Sequence, residues 1–354
     1  MNNISALRKQ LADNNIDALV VTSTYNRRYI SGFTGTAGAA LISKEDAIFL
    51  TDFRYTEQAK KQAEEFEVIE HKKTLIEEIS TQVEKLNIKR LGFEKAHLSY
   101  AEYESYKEKI QAELVPVSGL IEKQRLIKSP AELEIIQKAV DIADAAFAHI
   151  QSYIKPGARE IDISNELEFF MRKQGAVSSS FDIIVASGYR SALPHGVASD
   201  KIIEDGDLVT LDFGAYYQGY CSDITRTVAV GEPSQELREI YETVLEAQKR
   251  GVAGLKPGIT GKEADALTRD YINEKGYGSY FGHSTGHGMG LEVHEGPGLS
   301  FRTDQKLEPG MVVTVEPGIY VAGVGGTRIE DDVVITEDGC RILSRSPKEL
   351  IILG

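Results

Sequence analysis

Between Gly282 and Glu295 the chain reads Gly-His-Ser-Thr-Gly-His-Gly-Met-Gly-Leu-Glu-Val-His-Glu. His283, His287 and His294 all fall in this stretch, with Gly282, Gly286, Gly288 and Gly290 threaded between them. On a helix, His283 and His287 would share a face as a zinc pair. Glycine costs about 1 kcal/mol against alanine in a helix interior, so this density of glycine rules the helix out. The spacing predicts instead a loop whose backbone turns tightly and lies close to a neighbour. Imidazoles held at fixed angles on such a loop suit a metal or an oxyanion. The bland alternative is a set of surface histidines on a flexible loop.

A second source of chemistry is a repeated pattern of acids. Gly206-Asp-Leu-Val-Thr-Leu-Asp-Phe-Gly-Ala-Tyr216 matches Gly310-Met-Val-Val-Thr-Val-Glu-Pro-Gly-Ile-Tyr320, and Asp212 coincides with Glu316. Each segment opens an expected hairpin, 206–216 with 220–230 and 310–320 with 326–336. The returning arms carry Asp223 and Glu330. This is an internal duplication at the level of a hairpin. An ionised carboxylate in such an apolar run is expensive unless it is paired or binds a cation. Clustered carboxylates without a cation would repel by several kcal/mol, on the order expected for close like charges. Arg328 alone cannot offset them. Two divalent ions can, with His287 as a fifth ligand beside Asp212, Asp223, Glu316 and Glu330. Oxygen-rich ligation with one histidine favours Mn, Co or Fe over a thiolate-type structural zinc site. Two-metal sites bridge a water or hydroxide that becomes a nucleophile near neutral pH. The competing reading is a buried ion network of the same acids with Arg226 and Arg328.

The elements that must position these residues follow from the rest of the chain. At 354 residues it is long enough for two domains. In the first part, short apolar strands alternate with helical spacing, which predicts an α/β domain with a mixed sheet. Tyr25 to Gly35 is the exception, rich in turn residues and aromatics. Near residues 120–128 the pattern changes. Ser129-Pro-Ala-Glu132 is a helix start with a capping box, and a long helix follows. The expected domains are 1–122 and 123–354, the second built as two related α/β units facing each other.

Bulk properties bound the function. The chain is 42% hydrophobic and 27% charged, an ordinary globular composition. Its formal net charge of −14 argues against nucleic acid or an anionic membrane as partner. Cys221 and Cys340 make no disulfide framework and fit a reducing compartment. Met1 to Lys9 is polar with no apolar run after it, and no stretch approaches a membrane span. A cytoplasmic protein is expected.

These motifs together resemble the pita-bread metallopeptidases, aminopeptidase P and prolidase above all. The resemblance is carried by Leu211-Asp-Phe-Gly214, Tyr220-Cys-Ser-Asp-Ile-Thr-Arg226, Thr285 to Glu295, Val315-Glu-Pro-Gly-Ile-Tyr320 and Arg328-Ile-Glu-Asp331. Asn26 to Phe33 and Thr51-Asp-Phe-Arg-Tyr55 also look like a creatinase/prolidase N-terminal domain. The resemblance implies a small α/β N-terminal domain and a pseudo-twofold α+β catalytic domain. It implies Asp212, Asp223, His287, Glu316 and Glu330 as metal ligands, with Asp223 and Glu330 bridging. Glu316 would also handle the proton of the attacking water. His195 and His294 would contact substrate and the tetrahedral intermediate, His283 would lie near the substrate, and Arg328 would orient an aspartate ligand. Manganese is the metal implied, with cobalt or zinc as alternatives. The resemblance further implies a homodimer hydrolysing the Xaa-Pro bond of dipeptides or short peptides. The short first domain is more like compact prolidases than the larger aminopeptidases P, which favours dipeptides. Because no ligand is missing, a silent binding protein on this fold and a metal-free creatinase are both disfavoured. The extra N-terminal domain disfavours a methionine aminopeptidase.

Cys221 is expected to pack in the core, and His71, His97 and His149 to be surface or capping residues. Arg27 and Arg28 stay open between substrate contact across a dimer and a solvated pair.

Overall fold

The computed structural model describes residues 3–354. The chain divides into two compact units, Met1–Arg125 and Leu126–Gly354. The expected 122/123 boundary falls at the first residue of the short helix Glu122–Arg125, which stays with the first unit. Arg125 is buried there, and its Nη1 donates to Asn26 Oδ1 at 2.8 Å.

The first unit is built on one mixed sheet. Its strands run in the order Glu67–Glu70, Ala47–Thr51, Ala39–Ser43, Ala18–Val21, Arg90–Glu94, Glu113–Val117. Ala18–Val21 pairs antiparallel with Ala39–Ser43 and parallel with Arg90–Glu94. Every residue of Ala18–Val21 is buried because helices cover both faces. Ile4, Leu7 and Leu11 pack on one side, Ile79 and Val83 on the other.

The stretch read as turn-rich contains a helix, Thr24–Ser31, capped by the Ser23 hydroxyl and ended by Gly32 in the left-handed region. Its buried face includes Asn26 and Arg27, so no apolar stripe advertises it. Arg27 is not solvated. Its guanidinium is buried and donates to Gly38 O at 2.8 Å and Gly35 O at 2.9 Å. Arg28 is half-buried.

The second unit contains the same plan twice. A long helix, Pro130–Ile150 or Gln235–Gly254, leads through Lys-Pro-Gly to a second helix, Glu160–Lys173 or Gly261–Glu274. Gly157 and Gly258 hold φ of 91° and 90°, values that glycine adopts without penalty. Gly157 N donates to Ile203 O and Gly258 N to Leu307 O, the same bond in each half. Each half then passes a left-handed glycine, Gly206 or Gly310, into a hairpin. The core of the first half includes Phe147, Leu167, Leu211 and Phe213.

Both expected hairpins exist, but each is broken part-way. Leu208–Phe213 pairs with Ile224–Val230, while Ala215–Tyr217 pairs with Tyr220–Cys221 in another sheet. Val312–Val315 pairs with Asp331–Ile335, while Gly318–Val321 pairs with Gly325–Arg328. Two local causes fit the breaks. Pro317 has no N–H for a ladder. A Cβ on Gly214 would lie 1.7 Å from Ser222 O, so only glycine lets the arms cross there. The acids sit at the breaks: Asp223 and Glu330 each immediately precede the returning strand.

The glycine–histidine stretch is not wholly a loop. Gly286–Gly288 is a strand between Glu295–Leu299 and Val312–Val315. Its glycines serve close approach: a Cβ on Gly286 would lie 2.0 Å from Thr314 O, and one on Gly288 1.9 Å from Gly296 O. Glycine weakens strand signals, so spacing alone does not reveal it. Among the described residues no helix is long and apolar enough to cross a membrane.

Candidate active site

The second unit holds a cavity of about 600 Å³. Asp212, Asp223, His287, Glu316, Glu330, His195, His283, His294 and Arg328 all line it. The hairpin breaks bring the acids together. Asp212 lies near the end of its strand, opposite Thr225. Asp223 and Glu330 are 4% and 1% exposed. His287 reaches the acids from the strand Gly286–Gly288, with Nε2 3.2 Å from Glu316 Oε1 and 3.6 Å from Asp223 Oδ2.

The cluster is short of cations. Asp212 Oδ1, Asp223 Oδ1 and Glu330 Oε1 are buried without a hydrogen-bond partner. Burial pushes the Asp223 carboxyl well above the usual range, and the charges of Glu330 and Asp212 push it further. Glu330 is driven up the same way, by burial first and then by Glu316 and Asp212. Burial also raises Glu316, but the hydrogen bond and charge of His287 outweigh it and bring Glu316 to about 2. His287 is pushed up in return, Glu316 overcoming the effect of burial. Asp223, His287 and Glu330 offer ligand atoms that all lie within 4.8 Å of one another. Orphaned oxygens around an imidazole are the donor set of a divalent cation that prefers oxygen.

Arg328 reaches beyond its own hairpin. Its Nη2 donates to Asp212 Oδ2 of the other hairpin. Nε donates to Thr225 Oγ1 at 3.1 Å, and Nη1 to Tyr320 OH at 2.7 Å and Pro194 O at 3.2 Å. Burial works against its charge, but Tyr320, Asp212 and Glu316 outweigh that and keep it firmly protonated. Arg226 bonds to none of the four carboxylates, though its Nη1 donates to the Glu330 backbone carbonyl. It pairs with Asp331 at 2.8 Å, and Asp331 also accepts from Ser344, Gln248 and Lys348. The ion-network reading of the four acids therefore loses one of its two arginines.

The three other histidines differ in setting. His283 Nε2 bonds to Tyr320 OH at 2.8 Å, and burial lowers its pKa. His294 packs edge-on to His287, ring centroids 4.4 Å apart. Burial, then the His287 charge, lowers its pKa. His195 is exposed on the loop after the short turn Gly188–Ala192.

Sequence reasoning missed the hydroxyls that hold this arrangement. Thr225 Oγ1 donates to Glu330 Oε2 at 2.7 Å. Thr314 Oγ1 accepts from His287 N at 3.1 Å and donates to Glu316 Oε1 at 3.2 Å. Tyr320 joins His283 to Arg328. Thr314 and Tyr320 coincide with Thr210 and Tyr216 in the duplication, a signal that could have marked them. Asp332 was also missed. It is buried, and its Oδ2 accepts from Asp223 N at 3.0 Å.

Residues 134–337 match the family model for metallopeptidase family M24, and residues 3–127 match that for the creatinase/prolidase N-terminal domain. The chain belongs to metallopeptidase family M24. The M24 match covers both hairpins and the cavity, and the family implies divalent metal ions. Among curated relatives, an Xaa-Pro dipeptidase of Pyrococcus furiosus is 45% identical over 98% of this chain and 99% of its own length. Among solved structures, an Xaa-Pro dipeptidase from Bacillus anthracis is similar at 64% identity and a TM-score of 0.98, covering 99% of each chain. An X-Pro aminopeptidase from Thermotoga maritima is similar at 43% identity and a TM-score of 0.91, covering 98% of this chain and 99% of its own.

Proposed function

We propose that this M24 chain is a prolidase-type exopeptidase that hydrolyses the Xaa-Pro bond of dipeptides or short peptides. The observation that carries the reading is the set of buried, unpartnered carboxylate oxygens packed around His287. Asp212, Asp223, His287, Glu316 and Glu330 would hold two divalent ions, Mn(II) first, with Co(II) or Zn(II) as substitutes. Such ions supply Lewis acidity and a water acidic enough to attack near neutral pH.

The chain's own residues do the rest. Glu316, beside His287, is placed to take the proton of the attacking water. Arg328 fixes Asp212 and, through Tyr320, His283. His195 and His294 face the cavity as donors for a substrate carbonyl and the charge that develops on it. Within the same reading the protein is a cytoplasmic homodimer. It binds neither nucleic acid nor membrane, a point that the net charge of −14 supports.

The X-Pro aminopeptidase relative favours a second reading, an aminopeptidase P acting on longer Xaa-Pro peptides. One assay addresses both. Metal-reconstituted enzyme is given Gly-Pro, Gly-Leu and Gly-Pro-Xaa peptides. Cleavage of Gly-Pro with Gly-Leu left intact supports the proposal, and indifference to proline overturns it.

A further inference from the structure

The loop that carries His195 is braced by a residue that touches neither the cavity nor any candidate ligand. Glu160, the first residue of the helix Glu160–Lys173, is 0% exposed. Its Oε1 accepts from Ser187 N at 2.7 Å and Ser187 Oγ at 2.8 Å. Its Oε2 accepts from Ser199 N at 3.1 Å and Ser199 Oγ at 2.7 Å. Ser187 and Ser199 are the two ends of the loop, so one carboxylate closes it. Arg190, inside the loop, also donates to Oε2, and its Nη2 donates to Val197 O at 2.8 Å. The tip is fixed from the other side, where Arg328 Nη1 donates to Pro194 O. His195 lies between these two anchors.

Burying a carboxylate to hold a surface loop is expensive, and the internal repeat shows that the fold does not require it. Lys155-Pro-Gly-Ala-Arg-Glu160 corresponds to Lys256-Pro-Gly-Ile-Thr-Gly261. The backbone bond is shared: Glu160 N donates to Lys201 O, and Gly261 N to Gln305 O. The side chain is not. Where Glu160 stands in one half, the other half has a glycine, at which a Cβ would lie 2.1 Å from Gly298 O. The brace is confined to the half whose loop bears His195.

We propose that Glu160, with Arg190, is a positioning residue for His195, holding the 187–199 loop so that the imidazole meets the substrate at a fixed angle. The proposal rests on the peptidase reading of His195 given above. A fixed donor is worth more than a mobile one because its orientation is settled before the reaction.

The test uses full-length, metal-reconstituted protein and Gly-Pro as substrate. Glu160→Gln keeps the shape but replaces one accepting oxygen with a donor. Arg190→Gln, at a partly exposed side chain, serves if the first variant does not fold. Both are made alone and in a His195→Ala background. We expect kcat to fall on the order of 10- to 100-fold, as for a misplaced catalytic contact. Metal content should stay at the wild-type value, and hydrogen exchange should quicken at the amides of 187–199. In the His195→Ala background the same substitutions should change kcat by less than about twofold, because coupled residues are not additive. Equal losses in both backgrounds, a loss of metal, or an unchanged kcat despite faster loop exchange would each overturn the positioning role while leaving the peptidase reading intact. If His195→Ala alone has full activity, the role given to His195 falls, and this inference falls with it.

Discussion

Arg328 and Asp212 meet across the two halves of the duplicated unit. The guanidinium stands at the end of Gly325–Arg328 in the second hairpin, and the carboxylate in Leu208–Phe213 of the first. The same guanidinium touches Thr225, Tyr320 and Pro194. It therefore links an acid, a hydroxyl bridge to Glu330, a histidine partner and the loop bearing His195.

Arg328→Lys should be far from conservative. An ammonium has no planar fork and cannot serve all these acceptors at once. The variant should stay folded but lose kcat by about 100-fold or more, the cost typical of a lost polar contact at a reacting centre. Full activity with Lys at this position would mean that charge alone suffices.

Asp223→Asn should lower the bound metal below the wild-type content, since a neutral amide is a poorer ligand and leaves Glu330 without its partner acid. Chelated wild-type protein should be inactive and recover best with Mn(II) or Co(II). Elemental analysis decides the first point and metal titration of activity the second. A normal metal content in an active Asp223→Asn protein would remove Asp223 from the ligand set.

Chelated protein should lose stability as pH rises above the ordinary carboxylate range. Asp223 and Glu330 have folded-state pKa values raised by burial and by the neighbouring acids. The folded state then binds more protons than the unfolded state in this window, so unfolding gains as pH rises. His287, raised through Glu316, acts in the same direction, its contribution being lost as pH passes its folded value. Glu316, depressed to about 2, matters only at lower pH. The melting temperature with chelator should fall across the range, and added Mn(II) should restore more at the alkaline end. Chelated Asp223→Asn should show a flatter curve. A melting temperature independent of pH in the chelated wild type would contradict the uncompensated cluster.

Substrate length should separate the two peptidase readings. A dipeptidase must recognise a carboxylate just after the proline ring, and Arg328 is already occupied by its own partners. We expect kcat/KM to be higher for an Xaa-Pro dipeptide than for the same sequence extended by one or two residues. If extension instead raises kcat/KM tenfold, about 1.4 kcal/mol of transition-state binding, the aminopeptidase P reading replaces the prolidase one.

What the sequence made legible depended on how far each signal reached along the chain. Acids inside apolar runs are conspicuous, because burial of a charge demands a reason, and Asp212 and Glu316 were visible on that ground. The capping box at Ser129 and Glu132 is local, and the helix Pro130–Ile150 begins where it says. Thr24–Ser31 was hidden because its buried face carries Asn26 and Arg27, which satisfy hydrogen bonds instead of filling an apolar stripe. The strand Gly286–Gly288 was hidden because its reason is the close approach of neighbouring strands, not its own side chains. Thr225 was silent for a different cause. Its hydroxyl matters only once Arg328 and Glu330 are brought beside it from the other half. The repeated Lys-Pro-Gly turns were open to view but are too short to stand out from the background.

The hairpin breaks have a consequence for the chain during its synthesis. Asp212 and Asp223 leave the ribosome before Glu316, Arg328 and Glu330 exist. The proposed centre needs all of them, so an unfinished chain has no working peptidase. Splitting the proposed ligands between duplicated halves thus ties the proposed metal centre to a chain made past Glu330.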